Sequence, residues 1–210
     1  MKSRRIAIID YGMGNSVSIG NMLKAIGAEC CITSDTRQIE EADMLILPGV
    51  GSFDAGMSRL HQTGILTLLK RKVIEERTPI LGICLGMQVF TERSEEGQLP
   101  GLGWLSGETI RFRFDKGGPR LHIPHMGWNE IHPVQQHPLL SGLESESRFY
   151  FVHSYHVLCD DPADVLAFTD YGHPFASIIR RDNIIGTQFH PEKSHRYGMR
   201  LLANFMGVQT

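Results

Sequence analysis

Cys84 stands between Gly82 and Gly86 at the end of an apolar run, Pro79-Ile80-Leu81-Gly82-Ile83. Leu85 to Phe90, which follow at once, read as helix. Strand, sharp turn, helix is the pattern of a nucleophile elbow, here with a thiol in place of a hydroxyl. The paired glycines suit a tight turn packed against neighbouring backbone. A helix start, with its free N–H groups and dipole, favours thiolate. Such a nucleophile needs a base. Of the ten histidines, His190 is the best placed, because it ends the apolar stretch that closes in Gln188-Phe189 and precedes Pro191-Glu192-Lys193-Ser194. Glu192 can accept the imidazole N–H, set the ring tautomer and stabilise an imidazolium. Cys84, His190 and Glu192 are therefore a candidate triad for acyl transfer. That chemistry also needs oxyanion donors. The Leu85 N–H is one candidate; Gly51, in Pro48-Gly49-Val50-Gly51, is another, since a glycine there can turn its N–H toward the site.

These residues are far apart in the chain, so the fold must gather them. Ile6–Ile9 reads as a buried strand ending in Asp10-Tyr11-Gly12. Ile19, Met22, Leu23 and Ile26 fall at helical spacing, with Gly27 as the stop. Cys30–Thr33 and Met44–Leu47 read as the second and third strands. Ile65, Leu66, Leu69 and Val73 give a further helical face, and Ile80–Ile83 is the fourth strand. Alternation of this kind predicts a parallel sheet covered by helices, with working loops at the carboxyl ends of the strands. Asp10–Asn15, Pro48–Phe53 and Cys84–Gln88 should converge there.

After Glu95, repeated glycines break the helical pattern. Ile110–Phe114, Arg148–Val152, Val165–Thr169, Ser177–Arg180 and Ile184–Phe189 read as mostly antiparallel strands, with Asp182-Asn183 as a hairpin tip. A helix over His195–Met206 and a short polar tail close the chain. The predicted fold is α/β: three layers, with a mostly parallel central sheet, flanking helices and an antiparallel C-terminal extension. Residues 1–210 are expected to form a single domain.

Composition fits that fold. The 210 residues are 41% hydrophobic and 21% charged, with net charge −2, which points away from nucleic acid and from acidic membrane surfaces. Four cysteines without a C-x-x-C pair argue against a disulfide framework or zinc ribbon and for a reducing cytosol. The Ile6–Ile9 run is too short for a signal peptide, and no stretch approaches membrane-spanning length. Gly12-Met13-Gly14 is only half a dinucleotide fingerprint, because Val17 holds the place of the third glycine. His122-Ile-Pro-His125 and His153-Ser-Tyr-His156 lack metal-site spacing. The basic run from Arg111 to Arg120 reads as a solvated strand face. No metal and no cofactor are expected.

Gly82-Ile-Cys84-Leu-Gly-Met-Gln88, Pro48-Gly-Val-Gly51 and Gln188-Phe-His190-Pro-Glu192-Lys-Ser194 together resemble the class I (triad) glutamine amidotransferases. The likeness runs nearly the whole chain. Asp10-Tyr-Gly-Met-Gly-Asn15, Pro124-His-Met-Gly-Trp-Asn129 and Tyr150-Phe-Val-His-Ser-Tyr155 narrow it to the glutaminase subunits of imidazole glycerol phosphate synthases. The resemblance implies that Cys84 attacks L-glutamine, giving a γ-glutamyl thioester and ammonia. His190 would act as acid and then base, oriented by Glu192. Gly51 and Leu85 would hold the oxyanion, and Gln88, Ser154 and Tyr155 the substrate. Asn15, Trp128, Tyr150 and Lys193 would face the partner near the ammonia exit. Trp128, which follows glycine in what reads as a loop, is a common type of interface anchor. The partner implied is a (βα)8-barrel cyclase in a heterodimer, which uses the ammonia to make imidazole glycerol phosphate and an aminoimidazole carboxamide ribotide in histidine biosynthesis. The isolated glutaminase would be nearly inactive.

Two other functions fit parts of the sequence. Gly103-Trp104, Lys193-Ser-His-Arg-Tyr197 and a long Glu95–Leu121 region resemble paralogues that supply ammonia to sugar amidation in surface-polysaccharide synthesis. A cysteine peptidase-like hydrolase would use the same nucleophile, but Gln88 beside an intact triad argues against it.

Overall fold

A computed structural model describes residues 4–114, 121–143 and 146–207. Part of the basic run at 111–120 and of the 95–121 region, and the polar tail, lie outside the described residues.

Strand and helix alternate through the first half. β1 (Arg5–Ile9) leads through α1 (Ser16–Ala25) to β2 (Glu29–Thr33), and α2 (Thr36–Glu40) leads on to β3 (Met44–Gly49). α3 (Phe53–Thr63) and α4 (Leu66–Lys70) follow, and α4 continues as a π-helical turn over Arg71–Glu75. β4 (Ile80–Cys84) then runs directly into α5 (Leu85–Gln88). The second half is mainly strand: β5 (Arg93–Ser94), β6 (Gly107–Arg111), β7 (His125–Glu130), β8 (His132–Pro133), β9 (Arg148–His153), β10 (Tyr155–Cys159), β11 (Val165–Asp170), β12 (Pro174–Arg181) and β13 (Ile184–Thr187). α6 (His195–Gly207) closes the described chain.

Eight strands form the main sheet in the order β2-β1-β3-β4-β13-β12-β11-β8. Pairing is parallel from β2 to β13 and antiparallel from β13 to β8. The apolar runs are continuous because the sheet is buried on both faces. In β1, Ile6 and Ile8 pack with Ile19 and Leu23 of α1 and Leu201, Leu202 and Phe205 of α6. Ala7 and Ile9 pack on the opposite face with Phe53, Met57 and Leu60 of α3 and Leu69 of α4. This is the expected three-layer α/β arrangement. Two smaller sheets, β10-β6-β5 and β7-β9, stand apart from it.

Several readings shift. Ile184–Thr187 is not purely part of an antiparallel extension: β13 hairpins with β12 around Asp182 but lies parallel to β4. The helix after Cys84 ends at Gln88, not Phe90, because a turn begins at Val89. The strand expected at Ile110–Phe114 lies earlier, at Gly107–Arg111. Trp128 lies in a strand, not a loop, since Met126, Gly127 and Asn129 hide a two-residue alternation.

Candidate active site

Register explains why distant residues meet. Gly49 at the end of β3 is paired with Cys84 at the end of β4, and Thr187 of β13 is paired with Ile83. Because the strands are parallel, the Pro48–Gly51 turn, the cysteine and the Gln188-Phe189-His190 segment all leave the sheet at one edge. Cys84 has φ 54° and ψ −108°, an uncommon conformation for a residue with a side chain. Its neighbours must be glycine. A methyl at Gly86 would overlap the Leu47 carbonyl oxygen, and one at Gly49 would lie 2.6 Å from the Gly86 nitrogen. With only four residues in α5, little of a helix dipole reaches the sulfur, so its activation must rely on its other neighbours.

His190 is the chief of these. It is buried, and Glu192 Oε1 lies 2.9 Å from its Nδ1. Because the imidazole N–H donates to the carboxylate, Nε2 is left to face the sulfur side, and it has no hydrogen-bond partner among the described residues. Burial opposes an imidazolium, but negative charge on Cys84 and then the Glu192 carboxylate outweigh it and push His190 up to about 10. The arrangement favours a protonated His190 beside Cys84. The His190 backbone is tied down as well. Its N–H donates to the Tyr150 carbonyl at 2.9 Å, and its carbonyl accepts from the Ser194 hydroxyl at 2.6 Å.

A cavity of about 300 Å³ opens over this pair. Cys84, His190, Gly51, Leu85, Gln88, Ser154 and Tyr155 all border it; Glu192 stands behind His190 and does not. Gly51 has φ 102°, which is open to glycine but strained for other residues. Trp128, Tyr150 and Lys193 of the second predicted group form a surface patch. Trp128, 47% exposed, stacks on His195 with the rings 2° from parallel and meets Tyr150 edge-on. Lys193 Nζ lies 5.5 Å from the Tyr150 ring centroid. Asn15 caps α1 without a side-chain hydrogen bond, and α1 packs against the Pro191–Lys193 turn.

Sequence reasoning missed four residues here. Glu96 and His153 border the cavity. Tyr11 donates its hydroxyl to the Pro48 carbonyl at 2.7 Å and so braces the glycine turn. Gln188, fully buried, places Nε2 3.7 Å from Cys84 Sγ. An amide inside the apolar stretch that ends at His190 was the available signal for Gln188. Nothing local marks the others. Among the described residues no group of three or more His, Cys, Asp or Glu is arranged to hold a metal ion, and no helix is long and apolar enough to cross a membrane.

Residues 7–208 match the family described as Glutamine amidotransferase class-I. The chain belongs to the class I glutamine amidotransferases. This amidotransferase is 51% identical over 201 residues to a Methanococcus maripaludis protein named imidazole glycerol phosphate synthase subunit HisH 2, covering 96% of this chain and 98% of the relative. A Pseudomonas aeruginosa protein of the same name is 49% identical over 203 residues, with the same coverage. The amidotransferase also shares its fold with a putative GMP synthase protein from Thermoplasma acidophilum, with TM-score 0.73 at 21% identity over 99% of this chain and 94% of that one.

Proposed function

We propose that this amidotransferase hydrolyses L-glutamine to L-glutamate and ammonia as the glutaminase subunit of an imidazole glycerol phosphate synthase. The observation that carries the chemistry is the cavity that Cys84, His190, Gly51, Leu85 and Gln88 share, with Glu192 behind the histidine. The names of the relatives support the pathway.

The geometry supports the following steps. The Cys84 thiolate attacks the side-chain amide carbon of glutamine. The resulting oxyanion lies between the N–H groups of Gly51 and Leu85. His190 gives its Nε2 proton to the departing nitrogen, ammonia leaves and the γ-glutamyl thioester remains. Neutral His190 then takes a proton from water, which attacks the thioester; collapse releases glutamate and restores the thiolate and imidazolium. Glu192 holds the ring in one orientation throughout. Gln88 and the Ser154–Tyr155 segment hold the amino-acid end, and the Glu96 carboxylate at the cavity wall is suited to the substrate ammonium.

Ammonia passes to a (βα)8-barrel cyclase subunit seated on the Trp128, Tyr150, Lys193 and Asn15 face. Four unpaired cysteines support a reducing, cytosolic setting. The test is to purify the chain with its native partner and assay glutamine-dependent formation of imidazole glycerol phosphate. Turnover is expected in the complex and near absence of it in the lone chain. A partner that amidinates a sugar would overturn the pathway while leaving the glutaminase chemistry standing.

A further inference from the structure

His125 and His153 face each other across the β7–β9 ladder, with His125 Nδ1 3.0 Å from His153 Nε2. The direction of every hydrogen bond around them can be derived, because both ends meet backbone groups of fixed polarity. His153 Nδ1 lies 2.9 Å from the Tyr155 carbonyl, which can only accept. His153 therefore carries its proton on Nδ1, and its Nε2 accepts. His125 must then donate from Nδ1, which leaves its own Nε2 as an acceptor. Asn129 matches that demand. Its Oδ1 accepts from the Glu130 N–H at 2.9 Å, and its Nδ2 donates to the Asp170 carbonyl at 2.9 Å and to His125 Nε2 at 3.4 Å.

The chain continues beyond Tyr155. The same carbonyl accepts from Gln88 Nε2 at 2.9 Å, and the second Gln88 N–H reaches Gln188 Oε1 at 3.1 Å. Gln88 has thus committed both amide hydrogens to protein. Its Oε1 makes no hydrogen bond among the described residues, and the side chain borders the cavity. A protonated ring at either histidine would set donor against donor. Burial keeps both neutral, lowering His125 to about 4 and His153 well below its ordinary value.

We propose that His125 is a positioning residue for glutamine: by fixing the Nδ1–H tautomer of His153 it pins the Tyr155 carbonyl, and with it the Gln88 amide, so that Gln88 Oε1 is presented to a donor group of the substrate. Free histidine prefers the other tautomer. Without the His125 donor, only the Tyr155 carbonyl opposes the tautomer that free histidine prefers, so the Nδ1–H bond to that carbonyl weakens and the Ser154–Tyr155 wall of the cavity loosens. The inference rests on the glutaminase reading of the cavity.

The experiment has two parts. On the full-length wild-type chain labelled with ¹⁵N-histidine, NMR is expected to show His125 and His153 both neutral and both protonated at Nδ1 near pH 7. Protonation of His153 at Nε2 overturns the proposal whatever the enzyme turns over. Steady-state glutaminase kinetics of the assembled complex are then compared for wild type, His125→Phe and His125→Asn. Phenylalanine keeps the ring that stacks on Tyr171 and removes the donor; asparagine carries an N–H near the Nδ1 position. His125→Phe is expected to raise KM for glutamine about tenfold with kcat lowered less than about threefold, the signature of lost substrate holding, and His125→Asn to restore most of it. An unchanged KM in a folded His125→Phe, or no rescue by His125→Asn, overturns the proposal. If wild type itself does not turn over glutamine, the glutaminase reading fails and the role falls with it, an outcome distinct from an active wild type with an unmoved KM.

Discussion

Glu192 Oε1 lies 2.9 Å from His190 Nδ1, and both side chains are closed off from solvent. A buried carboxylate in that position can set the tautomer and stabilise an imidazolium. Glu192→Gln keeps the shape and loses the charge. In the assembled complex kcat should fall by roughly 10²–10⁴-fold, with little change in KM. Loss of less than about threefold would remove Glu192 from the triad.

The elbow depends on missing side chains. A methyl at Gly86 overlaps the Leu47 carbonyl, and the contact is backbone on both sides, so neither can yield cheaply. Gly86→Ala should destabilise the chain by about 1–3 kcal/mol, read from urea unfolding, and abolish turnover. Alanine at Gly12, where a methyl meets nothing within 4 Å, should leave turnover near wild type, with only the modest strain of its φ of 79°. Equal stability losses at the two positions would contradict the crowding argument.

Buried neutral histidines make stability depend on pH. Burial lowers His125 and His156 from 6.5 to about 4, and lowers His153 as well. Below pH 6.5 the unfolded chain takes up protons that the folded chain refuses. Their stabilising contribution is therefore complete above pH 6.5 and is lost as the pH falls toward 4. Each contributes a slope of up to about 1.4 kcal/mol per pH unit. Urea unfolding at pH 7 and pH 5 should show the difference. His156→Phe, in a site walled by Phe112 and Phe175, should flatten it. A wild type equally stable at both pH values would show that these rings are not held neutral.

The candidate nucleophile and base could be read from strand ends alone, because Cys84 and His190 each close an apolar run. That these runs are neighbours could not. β4 and β13 are separated by much of the chain and pair in parallel, and no local pattern marks a long-range pairing. β7 is hidden for another reason: Gly127 and Asn129 carry little strand preference, and the ladder with β9 supplies it. In α3, Phe53, Met57 and Leu60 do sit at helical spacing and are buried; there the signal is present in the sequence, weakened by the polar residues between them. His125 and His153, poor metal pairs by their spacing in the sequence, are partners to each other across strands.

The Trp128 patch gives a test of the partner face. Trp128 is exposed and rests on His195 and Tyr150, so Trp128→Ala should leave the melting temperature of the lone chain nearly unchanged. Affinity for the cyclase subunit, measured by calorimetry, should drop about tenfold or more. Unaltered affinity would place the interface elsewhere.

Trapping the covalent intermediate tests the role of Cys84 most directly. The assembled complex is mixed with L-glutamine, quenched in acid within one turnover and digested for mass spectrometry. The peptide that contains Cys84 should gain the mass of one γ-glutamyl group, and Cys84→Ser should abolish ammonia release. Undiminished ammonia release by Cys84→Ala, or an adduct on Cys30, Cys31 or Cys159 instead, would contradict the thioester mechanism.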